Sequence, residues 1–149
     1  MNCIIIDDEE MARAIIEKMI GRTTQLNLLQ EFSNALHAIK YLNQNEVDLI
    51  FLDIHMPDFT GFDFIQTIKN PPKIILVTSD KNFAIEAFEY ECIIDYLVKP
   101  ITEDRFQKAI QKANTGLYYS ELTAASSNFL PKKPIPMSGL QEWMTFILI

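Results

Sequence analysis

The sequence predicts an α/β fold: a doubly wound, five-stranded parallel sheet with helices on both faces. Three observations carry this expectation. Apolar runs alternate with helix-period segments along residues 1–114. The runs are continuously apolar, as strands buried on both faces read, and do not alternate as half-exposed strands do. Each run is followed by a helical stripe, and right-handed crossovers then lay the helices on both faces of one sheet.

The first strand is Cys3-Ile4-Ile5-Ile6, and the acids after it suit a helix N-terminus. Ala12, Ile15, Ile16, Met19 and Ile20 recur at helical spacing, with Gly21 as the stop. Residues 26–32 read as a second strand. Ser33 or Asn34 caps a helix whose apolar face is Ala35, Ala38, Ile39 and Leu42. Residues 47–52 form a third strand ending at Asp53. The loop from His55 to Gly61 leads to a helix carrying Phe64, Ile65 and Ile68, which Pro71-Pro72 cannot continue. Gly61 sits where a tight loop needs a permissive backbone. Residues 74–77 are a fourth strand, Ala84, Ala87 and Phe88 mark a fourth helix, and residues 96–98 are a short fifth strand before Lys99-Pro100. Phe106, Ala109, Ile110 and Ala113 give the last helical stripe. One domain is expected over residues 1–114. Residues 115–149, with prolines 131, 134 and 136 and an apolar end at 144–149, read as a linker or the truncated start of an output domain.

The composition narrows the class. In 149 residues, 20 acids against 13 bases leave a net charge of −7, which discourages non-specific contact with nucleic acid or anionic lipid. A hydrophobic share of 48% excludes a disordered chain. Cys3 and Cys92 lack disulfide or zinc spacing and read as small buried hydrophobes. No signal peptide and no membrane-length apolar stretch is expected, which points to a reducing, cytoplasmic compartment.

In an open α/β sheet, ligands bind outside the carboxyl ends of the strands. Those ends carry Asp7-Asp8, Asp53, Thr78-Ser79 and Lys99. Converging carboxylates resist ionisation unless a cation neutralises them, so a hard divalent ion such as Mg²⁺ is the natural occupant, with the lysine offsetting the remaining charge. Each residue alone has a plainer reading: Asp7 to Glu10 as partners of the helix dipole, Asp53 as a loop acid, Thr78 as a backbone-bonded hydroxyl, Lys99 as a solvated cation. Their coincidence at one edge is what those readings leave unexplained.

Four segments together resemble the CheY-like receiver domain of two-component response regulators, whose fold is the flavodoxin/CheY-like sheet. They are Ile4-Ile5-Ile6-Asp7-Asp8-Glu9, Leu52-Asp53-Ile54-His55-Met56-Pro57 with Gly61, Val77-Thr78-Ser79 and Tyr96-Leu97-Val98-Lys99-Pro100. The resemblance implies that Asp53 is the phosphoacceptor. It implies that Asp8, Asp53 and the His55 backbone carbonyl bind Mg²⁺ directly, with Asp7 acting through water. Thr78 and Lys99 would contact the phosphoryl oxygens, Tyr96 would be the switch aromatic that follows Thr78 inward, and the Lys99-Pro100 bond would be cis. It also implies a sensor histidine kinase as partner and a phosphoacceptor switch rather than an enzyme. Homodimer formation on phosphorylation would use the fourth and fifth helices. His55 and Asp80 stand where side chains tune hydrolysis of the phosphorylated state, Asp80 by redirecting the water and His55 by lending pH dependence. Residues 88–101 look most like receivers that precede a LytTR-type DNA-binding domain, so DNA would be reached only through an output domain that this chain lacks. Among alternatives, a Mg²⁺-dependent phosphohydrolase of the haloacid dehalogenase type wants an Asp-x-Asp pair, and an FMN binder wants a phosphate loop where four acids stand.

Overall fold

The computed structural model describes residues 1–115. The elements run β1 (Asn2–Ile6), α1 (Glu10–Gly21), β2 (Asn27–Phe32), α2 (Ala35–Leu42), β3 (Leu49–Leu52), α3 (Gly61–Thr67), β4 (Lys73–Thr78), α4 (Ala84–Ala87), β5 (Ile93–Val98) and α5 (Glu103–Thr115). The sheet order is β2-β1-β3-β4-β5, and every pairing is parallel.

Successive side chains of a strand point to opposite faces, so each apolar run feeds two cores. Ile4, Ile6, Ile50, Leu52, Ile74 and Leu76 pack under α2, α3 and α4. Cys3, Ile5, Leu49, Phe51, Ile75 and Val77 pack under α1 and α5, where the Phe51 and Phe106 rings stack at 5.5 Å. Cys3 is fully buried and Cys92 half-buried, and burial pushes both thiols up to about 11, which suits packing rather than redox chemistry. Among the described residues, no helix is long and apolar enough to cross a membrane.

Several boundaries differ from the sequence expectation. In α1, Ile15 faces solvent, leaving Ala12, Ile16 and Ile20 buried and Met19 half-buried. Gly21 is the last helical residue, and the end is closed by Thr23, whose hydroxyl donates to the Met19 carbonyl (3.0 Å). Asn34, not Ser33, caps α2 by accepting from the His37 N–H (3.0 Å). The third strand starts at Leu49 because the Asp48 carboxylate takes the Asn2 N–H (2.8 Å). The fourth helix is a single turn after a 3₁₀ turn at Lys81–Phe83, and the N–H groups of Phe88, Glu89 and Tyr90 then bond three residues back. The fifth strand begins at Ile93, three residues earlier than expected. Residues 116–149, with the proposed linker and the apolar end, lie outside the described residues.

Candidate functional site

The acids meet because their strands are neighbours. Ile6 pairs with Leu52, and the Asp53 N–H donates to the Ile6 carbonyl (2.9 Å), so Asp7 and Asp53 leave adjacent strands side by side. Asp7, Asp8, Glu9 and Asp53 each offer a carboxylate oxygen, and these oxygens lie within 4.8 Å of one another. Asp7 and Asp53 are buried, and Asp8 and Glu9 are more open to solvent. The sequence reading placed Asp7, Asp8 and Asp53 here, but took Glu9 only as a helix-start acid. Its position directly after the pair was the signal.

Lys99 arrives from the far side of the sheet. Its N–H donates to the Thr78 carbonyl (2.8 Å), and its Nζ donates to Asp7 Oδ2 (2.9 Å) and lies 3.9 Å from Glu9 Oε1. The Lys99-Pro100 bond is cis, as the resemblance implied. Burial works against the Lys99 charge, but the Asp7 hydrogen bond and the surrounding carboxylates outweigh it and hold the ammonium above its ordinary range. Asp53 goes the other way. Burial first, then the Asp7 carboxylate, push it up to about 7, against the pull of Lys99 and of the His55 N–H.

The cluster therefore suits a hard divalent cation. Four oxygen donors converge, one ammonium stands against them, and one acid resists ionising without a further positive charge.

The loop after β3 is shaped by close approach. A Cβ on Gly61 would stand 2.6 Å from the Asp53 carbonyl oxygen and 3.1 Å from Ile54 Cα, and the Gly61 N–H donates to the Ile54 carbonyl (2.8 Å). Gly61 is thus needed for lack of a side chain. The left-handed backbone expected of this loop falls instead on Asp58 (φ 65°). Thr60 and Asp63 form a reciprocal capping box that starts α3.

Thr78 is fully buried, and its Oγ1 accepts from the Asp80 N–H (3.3 Å). The Tyr96 ring is buried and its hydroxyl donates to the Asp80 carbonyl. His55 and Asp80, treated separately in the sequence, touch: His55 Nε2 lies 3.3 Å from Asp80 Oδ2, and the imidazole sits edge-on to Phe83. The Asn82 N–H, helped by His55, holds the Asp80 carboxyl below its ordinary range.

Sequence reasoning missed two further groups. On β5, buried Asp95 is gripped by Arg105 (2.6 and 2.8 Å) and Lys112 (3.2 Å) of α5, and it accepts from the Tyr96 N–H (2.8 Å). On α1, Arg13 Nη1 donates to the Asp7 carbonyl (2.7 Å), and its Nε lies 3.7 Å from Glu31 Oε1. An acid inside an apolar run, and a lone arginine four residues after Glu9, were the available signals.

Comparison with known proteins follows the same residues. The family described as response regulator receiver domain matches residues 3–111. An uncharacterised response regulatory protein of Vibrio parahaemolyticus is 32% identical over 133 residues, covering 88% of this chain and 54% of the relative. The sensory transduction protein LytR of Staphylococcus haemolyticus is 36% identical over 115 residues, covering 75% and 44%. The crystal structure of the response regulatory domain of MrkE from Klebsiella pneumoniae superposes with a TM-score of 0.71 at 35% identity, covering 78% of this chain and 97% of that one. The chain spans about half the length of the curated relatives it matches.

Proposed function

This chain belongs to the response regulator receiver domain family, and on that premise we propose that it is a phosphoacceptor switch, taking a phosphoryl group onto Asp53 from the phosphohistidine of a sensor histidine kinase in the cytoplasm. The observation that carries the reading is the meeting of four carboxylates with the Lys99 ammonium at the carboxyl edge of the sheet.

An Asp53 carboxylate oxygen forms the new O–P bond in line as the P–N bond to the kinase imidazole breaks, and the bonding pair stays on the departing nitrogen. With a divalent cation beside it the Asp53 carboxyl would be ionised, so no base would be required. Such transfers depend on positioning and on neutralising the phosphoryl oxygens. Asp7, Asp8, Asp53 and the His55 carbonyl are the groups that would hold Mg²⁺, which would supply positive charge to those oxygens. Lys99 adds a second, fixed positive charge. The Thr78 hydroxyl accepts from Asp80 and so keeps its own proton to donate to a phosphoryl oxygen.

The product carries about −1.5 to −2 charge, as other phosphorylated side chains do, in place of the carboxylate's single charge. The Asp80 backbone bonds Thr78 through its N–H and Tyr96 through its carbonyl, so a shift of Thr78 toward that charge is passed to the aromatic and to the surface of α4 and α5. That surface is where a second copy would dock on phosphorylation, which gel filtration with beryllofluoride checks. His55 and Asp80, which touch each other, set how long the phosphoryl group lasts. A pH profile of dephosphorylation unchanged in His55→Ala would remove His55 from that role. The likeness of residues 88–101 to receivers that precede a LytTR-type DNA-binding domain favours an output in transcription, and the LytR relative is named a sensory transduction protein.

Incubation with Mg²⁺ and acetyl phosphate tests the reading by intact mass. One phosphoryl adduct, absent in Asp53→Asn and absent with chelator, is expected. Rapid turnover of phosphomonoesters without an adduct would instead point to the hydrolase.

A further inference from the structure

We propose that Arg13 is a positioning residue for the cation site, fixing from behind the peptide that joins Asp7 to Asp8. The inference rests on the reading of these acids as a divalent-cation site.

Arg13 stands in the first turn of α1, and its side chain turns back to the end of β1. Its Nη1 donates to the Asp7 carbonyl at 2.7 Å, while its Nε faces the Glu31 carboxylate of edge strand β2. The Asp7 carboxylate is held by the Glu9 N–H (2.9 Å) and Lys99, and its N–H by the Phe32 carbonyl (3.0 Å). The Asp7 carbonyl is the remaining polar group, and it belongs to the rigid plane that also contains the Asp8 nitrogen. Holding that oxygen sets the direction in which the chain delivers Asp8. The planar guanidinium suits a two-sided contact that an ammonium does not make.

The sign of the expected effect separates this role from electrostatics. By charge alone, a guanidinium beside a cation site repels the ion, so its removal should tighten binding. A positioning role demands the reverse. Glu31 stabilises the guanidinium's placement: burial and neighbouring Glu17 raise its carboxyl, and Arg13 draws it back toward the charged form.

The test titrates the whole chain with Mn²⁺, a hard oxygen-seeking ion, and reads loss of the free-ion paramagnetic resonance signal. Arg13→Met is expected to bind about tenfold more weakly than the parent, in the range seen when supporting partners of metal ligands are removed, while the cation-free melting curve stays close to the parent's. Equal or tighter binding overturns the inference. Should Arg13→Met fail to fold, Arg13→Lys keeps the charge but not the two-sided reach, and an intermediate loss is expected. Parent-level binding by Arg13→Lys likewise overturns it. A parent chain that leaves the Mn²⁺ signal untouched would sink the site itself, and the inference with it.

Discussion

At the end of β3, the Asp53 carboxyl carries a conflict that only a cation or a phosphoryl donor relieves. Its value rises from the ordinary 3.8 to about 7, chiefly through burial and then through Asp7. Between those values the cation-free native state binds more protons than the unfolded chain, so stability falls as pH rises through that window. In chelator, the melting temperature should drop from pH 5 to pH 8. Asp53→Asn should lose most of that slope and gain on the order of 2 kcal/mol near neutrality. Thermal melts across pH check this, and an identical slope in the variant would show that Asp53 ionises freely. The residue identities at this edge were legible because each is the first polar residue after an apolar run. The tilt of Asp53 toward its protonated form was not, since it depends on Asp7 lying on the neighbouring strand.

Among the elements, β5 is the one the sequence conceals. Asp95 interrupts its apolar run, which hides the first half of the strand, yet the carboxylate is fully buried and clasped by Arg105 and Lys112. Asp95→Ala leaves both cations facing a vacated, water-poor crevice. A loss of about 3 kcal/mol is expected in denaturant unfolding, the lower end for a broken buried pair, because both cations keep some solvent contact. A loss near zero would mean that α5 is held by its apolar face alone. The start of α3 is legible by contrast, since Gly61 follows a turn-rich loop. What the sequence leaves hidden is the reason for the glycine. Gly61→Ala should cost about 2 kcal/mol by forcing a methyl against the Asp53 carbonyl, and should slow phosphorylation as well by displacing the acceptor. Normal phosphorylation with normal stability would show that the loop yields. The one-turn α4 escaped the sequence because Ala84, Ala87 and Phe88 fit a longer helix as well as they fit a turn followed by three-residue bonding.

For the whole molecule, order β2-β1-β3-β4-β5 puts β1 and β3 side by side and brings β5 round to the same edge by way of β4. The parallel, doubly wound sheet was readable because β1, β3 and β4, buried on both faces, have no polar alternation and are separated by helical stripes. The convergence of the site followed from that topology. The support behind it from Arg13 gave only a weak signal, since a charged residue on a helix gives no sign of which carbonyl it will reach. In the proposed reading, this edge places a phosphoryl group on one carboxylate, that of Asp53. An acyl phosphate, unlike a phosphoester, is reduced by borohydride to an alcohol. After treatment with Mg²⁺ and acetyl phosphate, borohydride reduction and peptide mass spectrometry should find homoserine at position 53 and nowhere else. Homoserine at position 7 or 8, or no reduced residue while acetyl phosphate is still consumed, would rule out Asp53 as the acceptor.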